Sequence, residues 1–506
     1  MKRHSVVFVL QNDNILSWHK EVICQSEYFL NIKSIYCIQG KSKKNLIYNF
    51  IDNLFNNKVK LSNDEAVNYV YKLDDQFYKK LSVESDIVVC LGLDDLFEMS
   101  KITNQFGVVW ATFNKFSREF DAILSCFCDN YANINIDIYS YNTKIKREVI
   151  CNSFFSKFWK ENPFKSNKNL YYNVNNAIIK ALINIDNINL INNYSQHKII
   201  NKKNEFIKPL FYFICFFIAK IIYGVFFEKK WNIAFKKSHN FFENNYDLKF
   251  PGSDYCIPYI DKIFTFYADP FIDEINNLIY TEALNKYTGL GNIVLLDTST
   301  GNVKNNIFYD NHYSYPSLFT FNNKKYLLPE MSRQNTIAFF DIDNNFKKIN
   351  INEFDGQKLV DSTYFYDGNF HYIFTSPHGY SSDNLLLFYS PHLTHGYMPH
   401  PLNPIVIDAS CARMAGAIIS YNDRIYRLGQ NNNDNYGGGL HVCEITVLSP
   451  TEYQETKLSE VRLPSPYKGP HTLNFSDNFM VLDFYTDRFS WLAGFRRLLN
   501  KFKKSK

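Results

Sequence analysis

A unit that recurs five times between residues 268 and 483 constrains the fold of this 506-residue chain more than any other feature. Each unit consists of a short polar motif, an apolar or aromatic run, a short polar turn and a second aromatic-rich run. The five turns are Asn276-Asn277, Asn322-Asn323, Asp367-Gly368, Asn422-Asp423 and Ser476-Asp477. Aligned on these turns, the units recur about every 45 to 55 residues, which is close to the length of a propeller blade. The repeat therefore predicts a five-bladed β-propeller over residues 231–488.

Local chemistry explains why these runs should be strands. Asn, Asp and Gly tolerate the positive φ of tight hairpin turns, and Tyr, Phe, Ile and Thr suit a half-buried pleated surface. The innermost strand of each blade lines the central channel of a propeller. The motif residues that begin these strands should therefore converge on the channel: Asp269, Tyr315, Asp361, residues 413–415 and His471.

The first third of the chain follows a different pattern. Within residues 1–165, short apolar runs begin at Ser5, Lys33, Ser85, Phe106 and Ile134, and segments of helical length separate them. This alternation predicts an α/β domain with a mostly parallel sheet. The sequence has no Walker A motif and no GxGxxG after the first strand, so it does not favour nucleotide binding through a glycine-rich loop.

Two segments suggest contact with a membrane. Residues 209–227, in a predicted linker at 166–230, are apolar except for Lys220. This segment is a helix lying in the membrane interface, a buried packing helix or a true span. Residues 489–506 predict a helix with one apolar and one basic face, which either packs on the propeller or lies on an anionic membrane. Together the segments predict a cytoplasmic protein that is peripheral to the inner membrane.

Composition narrows the classes of ligand. The net charge of +5 is too small to indicate nucleic acid as a partner. Ten cysteines without a CxxC pair favour reduced thiols. The spacing of Cys126 and Cys128 permits a metal ion, but a pair of buried thiols is the preferred interpretation. The sequence therefore predicts neither a metal nor a resident cofactor.

A specific set of motifs points to one family. Eight short motifs in a fixed order resemble the propeller domain in the N-terminal half of plant glucosamine inositolphosphorylceramide transferases. They are ADPF, HYSYP, LLPEM, VDSTYFYDG, PHPLNP, ARMAG, YRLGQ and YGGG. Bacterial proteins carry this domain too, commonly after a formyltransferase-like domain, and the segments from Leu16 and Lys72 resemble that partner. Residues 1–165 contain no Asn-x-His motif, which formyl transfer needs, so the resemblance implies a fold for these residues and not that activity.

More distantly, the propeller resembles five-bladed glycosidases of the arabinanase, xylosidase and invertase type. In these enzymes a first-blade Asp is base or nucleophile, an Asp opening the third blade tunes a pKa, and a fourth-blade Glu is the acid. Asp269 and Asp361 match the first two positions, but Arg413 of ARMAG stands near the third. A guanidinium stays charged and cannot donate the proton. Hydrolysis would therefore need Glu330 or Glu282 to enter the channel from another blade.

Arg413 has two interpretations. It clamps a phosphate or carboxylate bidentately, or it pairs with Asp361 as part of the structure. The other candidate ligand-binding residues are His312, Tyr315, Gln430, Tyr436 and His471. The two histidines are candidate acids or bases because imidazole titrates near neutral pH, or they are buried hydrogen-bonding residues. The run Gly437 to Gly439 is expected to relieve crowding at a turn.

These observations predict a carbohydrate-active protein of bacterial surface polysaccharide or glycolipid biosynthesis. The leading hypothesis is a glycosyltransferase-type enzyme in which Asp269 is the base for an acceptor hydroxyl, Asp361 its electrostatic partner and Arg413 the anion clamp. A nucleotide sugar is the donor to be considered, and the substrate is a glycan or glycolipid. The alternatives are a non-catalytic glycan-binding or scaffold module, and a glycosidase that uses Glu330 as a relocated acid.

Overall fold

The computed structural model describes residues 3–11, 15–38, 67–70, 73–93, 98–116, 118–142, 147–188, 207–237, 241–433, 435–476 and 478–504. The chain divides into two compact units, Met1–Ile218 and Ala219–Lys506. Each unit has its own sheets and its own buried core, and each is described separately.

The first unit is built on one seven-stranded sheet with the order β3-β2-β1-β4-β5-β6-β7. Strands β1 to β5 run parallel, whereas β6 and β7 pair antiparallel at one edge. The central strand is a continuous buried apolar run from Val6 to Leu10, as expected for a strand covered on both faces. The strands are β1 Ser5–Gln11, β2 Asn31–Ile38, β3 Val67–Val70, β4 Ile87–Leu91, β5 Val108–Phe113, β6 Asn133–Asn142 and β7 Arg147–Lys157. The predicted α/β class is confirmed, with a mixed rather than wholly parallel sheet.

Helices join and follow these strands. They are α1 Ser17–Ser26, α2 Asp75–Glu84, α3 Glu119–Asp129, α4 Pro163–Ile183 and α5 Ile185–Ile188, with a 3-10 turn at Met99–Lys101. The start of α4 follows its sequence: Asn162 Oδ1 accepts the Lys165 N–H at 3.1 Å, and Pro163 occupies the first turn. Both residues favour a helix that begins at this position.

The next helix, α6 Ile207–Phe226, replaces the predicted segment 209–227. Its stretch Lys208–Phe226 has 19 residues, and only 6% of this stretch is buried. By length and composition alone, it is long and apolar enough to cross a membrane. The chain changes to strand at Phe227, so the last apolar residue of the run already belongs to the propeller.

The second unit is the predicted five-bladed propeller, which is confirmed. Its first four sheets follow chain order, from the inner strand outward. They are β9 Phe264–Asp273, β10 Leu278–Asn285, β11 Gly291–Asp297, β12 Val303–Phe308; β13 Ser314–Phe321, β14 Lys324–Glu330, β15 Ala338–Asp341, β16 Lys347–Asn350; β17 Leu359–Tyr366, β18 His371–Pro377, β19 Asn384–Ser390, β20 Met398–Pro399, β21 Val406–Ile407; and β22 Ile419–Tyr421, β23 Arg424–Gln430, β24 Leu440–Leu448, β25 Tyr453–Val461. A 3-10 turn at Asn352–Phe354 precedes the third blade.

The fifth blade closes the ring with strands from both ends of the unit. Strand β8 Phe227–Lys237 pairs antiparallel with β27 Phe479–Phe489 over eleven residue pairs, and β26 Leu473–Phe475 pairs with the other side of β27. The sequence repeat does not reveal β8, because this strand is separated from its partner by the whole propeller. A final helix, α7 Ala493–Lys504, follows the closing strand.

Candidate functional site

A backbone bulge repeats at the start of the inner strands. Asp269, Tyr315 and Asp361 have φ values of 50°, 42° and 49°, and at each of them two inner-strand residues face one residue of the second strand. Gly416, with φ 146°, lies at the corresponding point of the fourth blade. Positive φ is uncommon for residues other than glycine, and such bulges redirect side chains near functional sites. The sequence motifs thus coincide with a conformation that three blades share.

The second strand of each blade places one polar residue beside this bulge. Glu282 faces Ala268, Glu330 faces Ser314 and Ser376 faces Val360. In the last two blades, backbone hydrogen bonds join Gln430 to Arg413 and Asp483 to Thr472. The five residues are buried: Glu282, Glu330, Ser376, Gln430 and Asp483. They form an inner ring of polar groups around the bulge residues.

One half of the site is centred on Asp361. Arg413 grips this carboxylate with Nε at 2.5 Å from Oδ2 and Nη2 at 3.1 Å from Oδ1, and Gln430 Nε2 donates to Oδ2 at 2.9 Å. The remaining guanidinium nitrogen, Nη1, lies 3.3 Å from Ser381 Oγ. This geometry favours the ion pair between Arg413 and Asp361 over an anion clamp.

Glu330 lies next to this ion pair in a different protonation state. Its Oε1 accepts the Ser332 hydroxyl at 2.6 Å, and its carboxyl group contacts that of Asp361. Burial, followed by the negative charge of Asp361, raises the pKa of Glu330 to about 8, against the opposing charge of Arg413. Burial and the carboxylates of Asp269 and Glu330 likewise raise the pKa of Glu282. At neutral pH, Glu330 therefore carries a proton that it can donate.

The other half of the site is centred on His471. Its Nδ1 lies 3.1 Å from Asp269 Oδ1 and 3.1 Å from Asp483 Oδ2, and its Nε2 lies 2.7 Å from the Tyr436 hydroxyl. Burial alone lowers the pKa of His471, but the Tyr436 oxygen and the carboxylates of Asp269 and Asp483 outweigh it and raise the pKa. The imidazolium is thereby held between two carboxylates, at the start of the fifth blade.

Asp483 holds this half in place, and the sequence reasoning missed it. Its carboxylate accepts backbone N–H groups from Asp269 at 3.1 Å, His471 at 2.8 Å and Thr472 at 2.7 Å. Thr472 Oγ1 in turn donates to Asp269 Oδ1 at 2.7 Å. Because Thr472 and His471 both contact Asp269 Oδ1, Asp269 Oδ2 is the oxygen that can contact a substrate. The signal for Asp483 was its position in the repeat, equivalent to Glu282 and Glu330.

Two predicted residues have structural positions. The Tyr315 hydroxyl is fully buried; it accepts the Gly416 N–H at 2.8 Å and so ties the second blade to the fourth. His312 Nδ1 accepts the Gly291 N–H at 2.7 Å. A Cβ at position 291 would lie 2.6 Å from Glu282 Oε1 and 2.9 Å from His312 Cε1, so these two side chains border one small space that requires glycine. His312 therefore lies beside Glu282, outside the two halves of the site described above.

Two groups of side chains have the ligand types of a metal site. Ligand atoms of Asp269, His471 and Asp483 all lie within 4.8 Å of one another, as do those of Cys411, Cys443 and Glu455. In the first group, His471 Nδ1 lies between the two carboxylates, and the backbone N–H groups of His471 and Thr472 donate to Asp483. In the second group, the Arg427 guanidinium pairs with Glu455. Protein groups therefore already contact ligand atoms in both groups.

Opposite charges lie side by side in the site. Asp361 pairs with Arg413, and the carboxylates of Asp269 and Asp483 lie next to His471. Burial and neighbouring carboxylates raise the pKa values of Glu282 and Glu330.

The fold and site define a five-bladed β-propeller with a carboxyl-rich centre. Residues 259–481 match the sequence model of the family described as glucosamine inositolphosphorylceramide transferase 1, N-terminal, which confirms the resemblance for the propeller. The transferase of Arabidopsis thaliana is 28% identical over 174 residues, 32% of this chain and 22% of the relative. That of Oryza sativa subsp. japonica is 28% identical over 160 residues, 29% of this chain and 21% of the relative. The chain thus spans about a fifth of the length of the curated relatives it matches.

Solved structures were compared as well. An α-L-arabinofuranosidase from Podospora anserina is 15% identical with a TM-score of 0.31, covering 39% of this chain and 69% of its own. An α-L-arabinanase from Cellvibrio cellulosa is 12% identical with a TM-score of 0.29, covering 40% and 85%. A candidate sugar N-formyltransferase from Mycobacterium tuberculosis is 10% identical with a TM-score of 0.27, covering 42% and 85%.

Proposed function

We propose that this protein is a glycosyltransferase-type enzyme of glycolipid or surface polysaccharide synthesis and that the propeller centre is its active site. One observation carries the proposal: a protonated Glu330 lies against the Asp361 carboxylate, in a site that Asp269 also lines. Carboxyl groups whose environments push their pKa values apart are the usual arrangement for acid-base chemistry. The name of the curated relatives suggests that the acceptor is a glycolipid.

In this mechanism the two halves of the site have separate tasks. Asp269 Oδ2 takes the proton from an acceptor hydroxyl as its oxygen forms a bond to the anomeric carbon of the donor sugar. Glu330 gives its proton to the leaving oxygen as the bond from that oxygen to the anomeric carbon breaks. Burial, together with the Asp361 carboxylate that Arg413 and Gln430 hold, keeps Glu330 protonated beforehand. His471 and Thr472 fix the orientation of Asp269.

The same protonated Glu330 also favours a second candidate, a glycosidase with a relocated acid. The two candidates can be separated by incubating the purified protein with a sugar donor, with and without a labelled glycolipid as acceptor. An increase in the mass of the glycolipid by one sugar supports transfer, and release of free sugar supports hydrolysis. Binding of the glycan without any product would contradict both and would leave a scaffold.

We further propose that the first unit has a formyltransferase-like fold without formyl transfer. Its five parallel strands in the order β3-β2-β1-β4-β5 are compatible with that fold. No formylated product is expected when the purified protein is incubated with a formyl-donor cofactor and an amino sugar. A formylated amino sugar would contradict the proposal.

We also propose that α6 and α7 attach the protein to the cytoplasmic face of a bacterial membrane. The Arg497 guanidinium of α7 donates to the backbone carbonyls of Gly224 and Phe227, which caps the end of α6. Arg496 Nε lies 2.6 Å from Glu228. Exposed apolar side chains lie at the end of α6, in the turn just before α7 and on α7: Ile221, Ile222, Val225, Trp491, Leu492, Phe495 and Leu498. Such a surface beside basic residues suits an anionic bilayer.

Trp491→Glu combined with Phe495→Glu tests this attachment. The two side chains are 76% and 60% exposed, so the change should leave the fold intact. Burying each in the bilayer contributes about 1.5–3 kcal/mol, so vesicle binding should weaken at least ~100-fold in a flotation assay. Tyr287→Glu, at a 69% exposed position of the first blade, is the matched control. Equal binding by the double variant and the control would contradict attachment through α7.

The pKa of Glu330 also predicts how stability depends on pH. In the unfolded chain this carboxyl titrates near 4.5, whereas in the folded protein its pKa is about 8. Between these values the native state holds more protons than the unfolded state, so the free energy of unfolding should fall as pH rises from about 4.5 to about 8. Glu330→Gln mimics the protonated form and should gain stability relative to wild type across this window, as measured by urea unfolding at each pH. A constant difference between the two proteins would contradict the assigned pKa.

A further inference from the structure

The hydroxyl of Tyr436 ends a chain of polar groups that begins at two buried carboxylates. Asp269 Oδ1 and Asp483 Oδ2 each lie 3.1 Å from His471 Nδ1, and His471 Nε2 lies 2.7 Å from the Tyr436 oxygen. A carboxylate, an imidazole and a hydroxyl in this order activate a nucleophile on several unrelated folds. We propose that Tyr436 is a catalytic nucleophile that carries the sugar covalently between donor and acceptor. The inference rests on the proposed function and deepens it by adding this residue.

The contacts of His471 decide which of its nitrogens exchanges a proton with Tyr436. Nδ1 faces the two carboxylates and therefore keeps its proton, which leaves the lone pair of Nε2 for the tyrosine hydroxyl. Burial lowers the pKa of His471, but the Tyr436 oxygen and the carboxylates of Asp269 and Asp483 outweigh burial and raise it. His471 is thus a stronger base toward Tyr436 than an imidazole in water.

Tyr436 itself keeps its proton until this base acts. Burial raises the pKa of its phenol, and the positive charges of His471 and Arg413 oppose this rise. The Arg413 guanidinium lies over the ring, with Cζ 5.3 Å from the ring centre. Both cations stabilise a phenolate as it forms. The phenol therefore resembles the serine of a catalytic triad, which is a weak nucleophile until a neighbouring base takes its proton.

Accessibility favours Tyr436 over His471 as the group that contacts the sugar. Tyr436 is 45% exposed, whereas His471 is only 3% exposed. Tyr436 also connects the two halves of the site, since its hydroxyl contacts His471 and its ring contacts Arg413. The backbone is held in place, because Lys229 Nζ donates to the Tyr436 carbonyl at 2.9 Å and a Cβ at Gly437 would lie 2.4 Å from a neighbouring ring. The hydroxyl thus has a fixed position that a substrate can reach.

Transfer through Tyr436 takes two steps. In the first, the phenol oxygen forms a bond to the anomeric carbon as the bond from that carbon to the leaving oxygen breaks. The phenol proton goes to His471 Nε2, and Glu330 gives its proton to the leaving oxygen. In the second, the acceptor oxygen forms a bond to the anomeric carbon as the bond to Tyr436 breaks, while Asp269 Oδ2 takes the acceptor proton and His471 returns its proton to the phenol oxygen. Exchange with solvent then restores the protonation of Asp269 and Glu330, and two displacements at one carbon retain its configuration.

Labelling with benzenesulfonyl fluoride tests the activation of Tyr436 without any substrate. The reagent forms a sulfonate ester at reactive tyrosines, and peptide mass spectrometry of the full chain gives the rate at each one. Three more exposed tyrosines of the same unit are internal controls: Tyr259, Tyr287 and Tyr309, at 78%, 69% and 64%. We expect Tyr436 to react at least ~10-fold faster than these, since general-base assistance typically contributes ~10²–10⁴-fold. An equal or slower rate at Tyr436 would overturn the inference.

Substitution of His471 identifies the base. His471→Gln can still hydrogen bond to Tyr436 but cannot take its proton, so the labelling of Tyr436 should fall to the rate of the control tyrosines. The buried Tyr267 and Tyr280 should stay unlabelled, which shows that the variant is folded. Fast labelling of Tyr436 in His471→Gln would overturn the assignment of its base.

The covalent step has its own readout. Wild type mixed with the nucleotide sugar that supports transfer, without acceptor, and then quenched with acid should gain the mass of one sugar on the peptide that carries Tyr436. Tyr436→Phe should gain none and should transfer at least ~100-fold more slowly, whereas Tyr287→Phe is the matched control and should act as wild type does. A Tyr436→Phe variant that keeps at least half of the transfer rate would overturn the inference and leave the proposed function intact. Fast labelling of Tyr436 in a protein that transfers no sugar would contradict only the proposed function.

Discussion

Glu330→Gln should lower the rate of sugar transfer by ~10²–10⁴-fold while leaving the propeller folded, the range typical of a lost general acid. Gln keeps the shape of the protonated side chain and can still hydrogen bond to Asp361, but it has no proton to give. The measurement is the initial rate with saturating donor and acceptor. Glu444→Gln, which alters a surface pair with Arg424, is the control and should act as wild type does.

The pH dependence separates this role from a purely structural one. Since the pKa of Glu330 is about 8, the wild-type rate should fall as pH rises through that value, because the acid is then deprotonated. The residual rate of Glu330→Gln should show no such decline. A variant that retains at least half of the wild-type rate, or keeps the same decline at high pH, would remove Glu330 from the mechanism.

Arg427→Met should have the largest effect on stability. Arg427 is fully buried, with Nε 2.5 Å from Glu455 Oε2 and Nη1 2.7 Å from the Cys411 carbonyl. Removing Arg427 leaves the Glu455 carboxylate, which is only 12% exposed, without its cation, and only the Tyr453 hydroxyl then still donates to it. Loss of one member of a buried pair costs about 3–5 kcal/mol, so the free energy of unfolding in urea should fall by about that amount.

Two comparisons make the Arg427 experiment decisive. Arg424→Gln, on the same strand but in an exposed pair, should change the free energy of unfolding by no more than about 0.5 kcal/mol. Adding Glu455→Gln to Arg427→Met should restore part of the loss, because the buried charge is then removed. A single variant as stable as wild type would show that this pair does not hold the fourth blade together.

Much of the propeller could be predicted because its information is local and repeated. Each turn has residues that tolerate positive φ, as at Asn277, Asn322 and Asn323, and the runs on either side became the first two strands of a blade. The bulge residues Asp269 and Asp361 were identified for the same reason, since they open their units. Repetition thus compensates for the weakness of each single strand signal.

What the sequence did not predict depends on pairing between distant segments. Strand β8 joins β27 across more than two hundred residues, and no local pattern in either strand indicates the other. Asp483 was missed because it lies on a second strand, away from the opening motifs. The sequence could not decide whether Arg413 clamps an anion or pairs with Asp361, because the answer depends on the distance to Asp361 and on the protonation of Glu330.

Glu330 and Asp361 meet at the propeller centre although they come from different blades. Glu330 lies at the end of β14 in the second blade, and Asp361 lies in the third blade, where it pairs with Arg413 of the fourth blade. Burial and the negative charge of Asp361 raise the pKa of Glu330. The ion pair between Asp361 and Arg413 thus links the third and fourth blades.

Whether the propeller centre performs chemistry on a glycan or glycolipid can be tested by mass spectrometry of glycolipids and surface glycans from cells with wild type, a deletion or Asp269→Asn. We expect the deletion and Asp269→Asn to lose the same sugar residue, whose mass identifies the transferred group. A glycan that changes in the deletion but stays complete in Asp269→Asn would contradict this expectation, because the propeller would then bind or organise without catalysing.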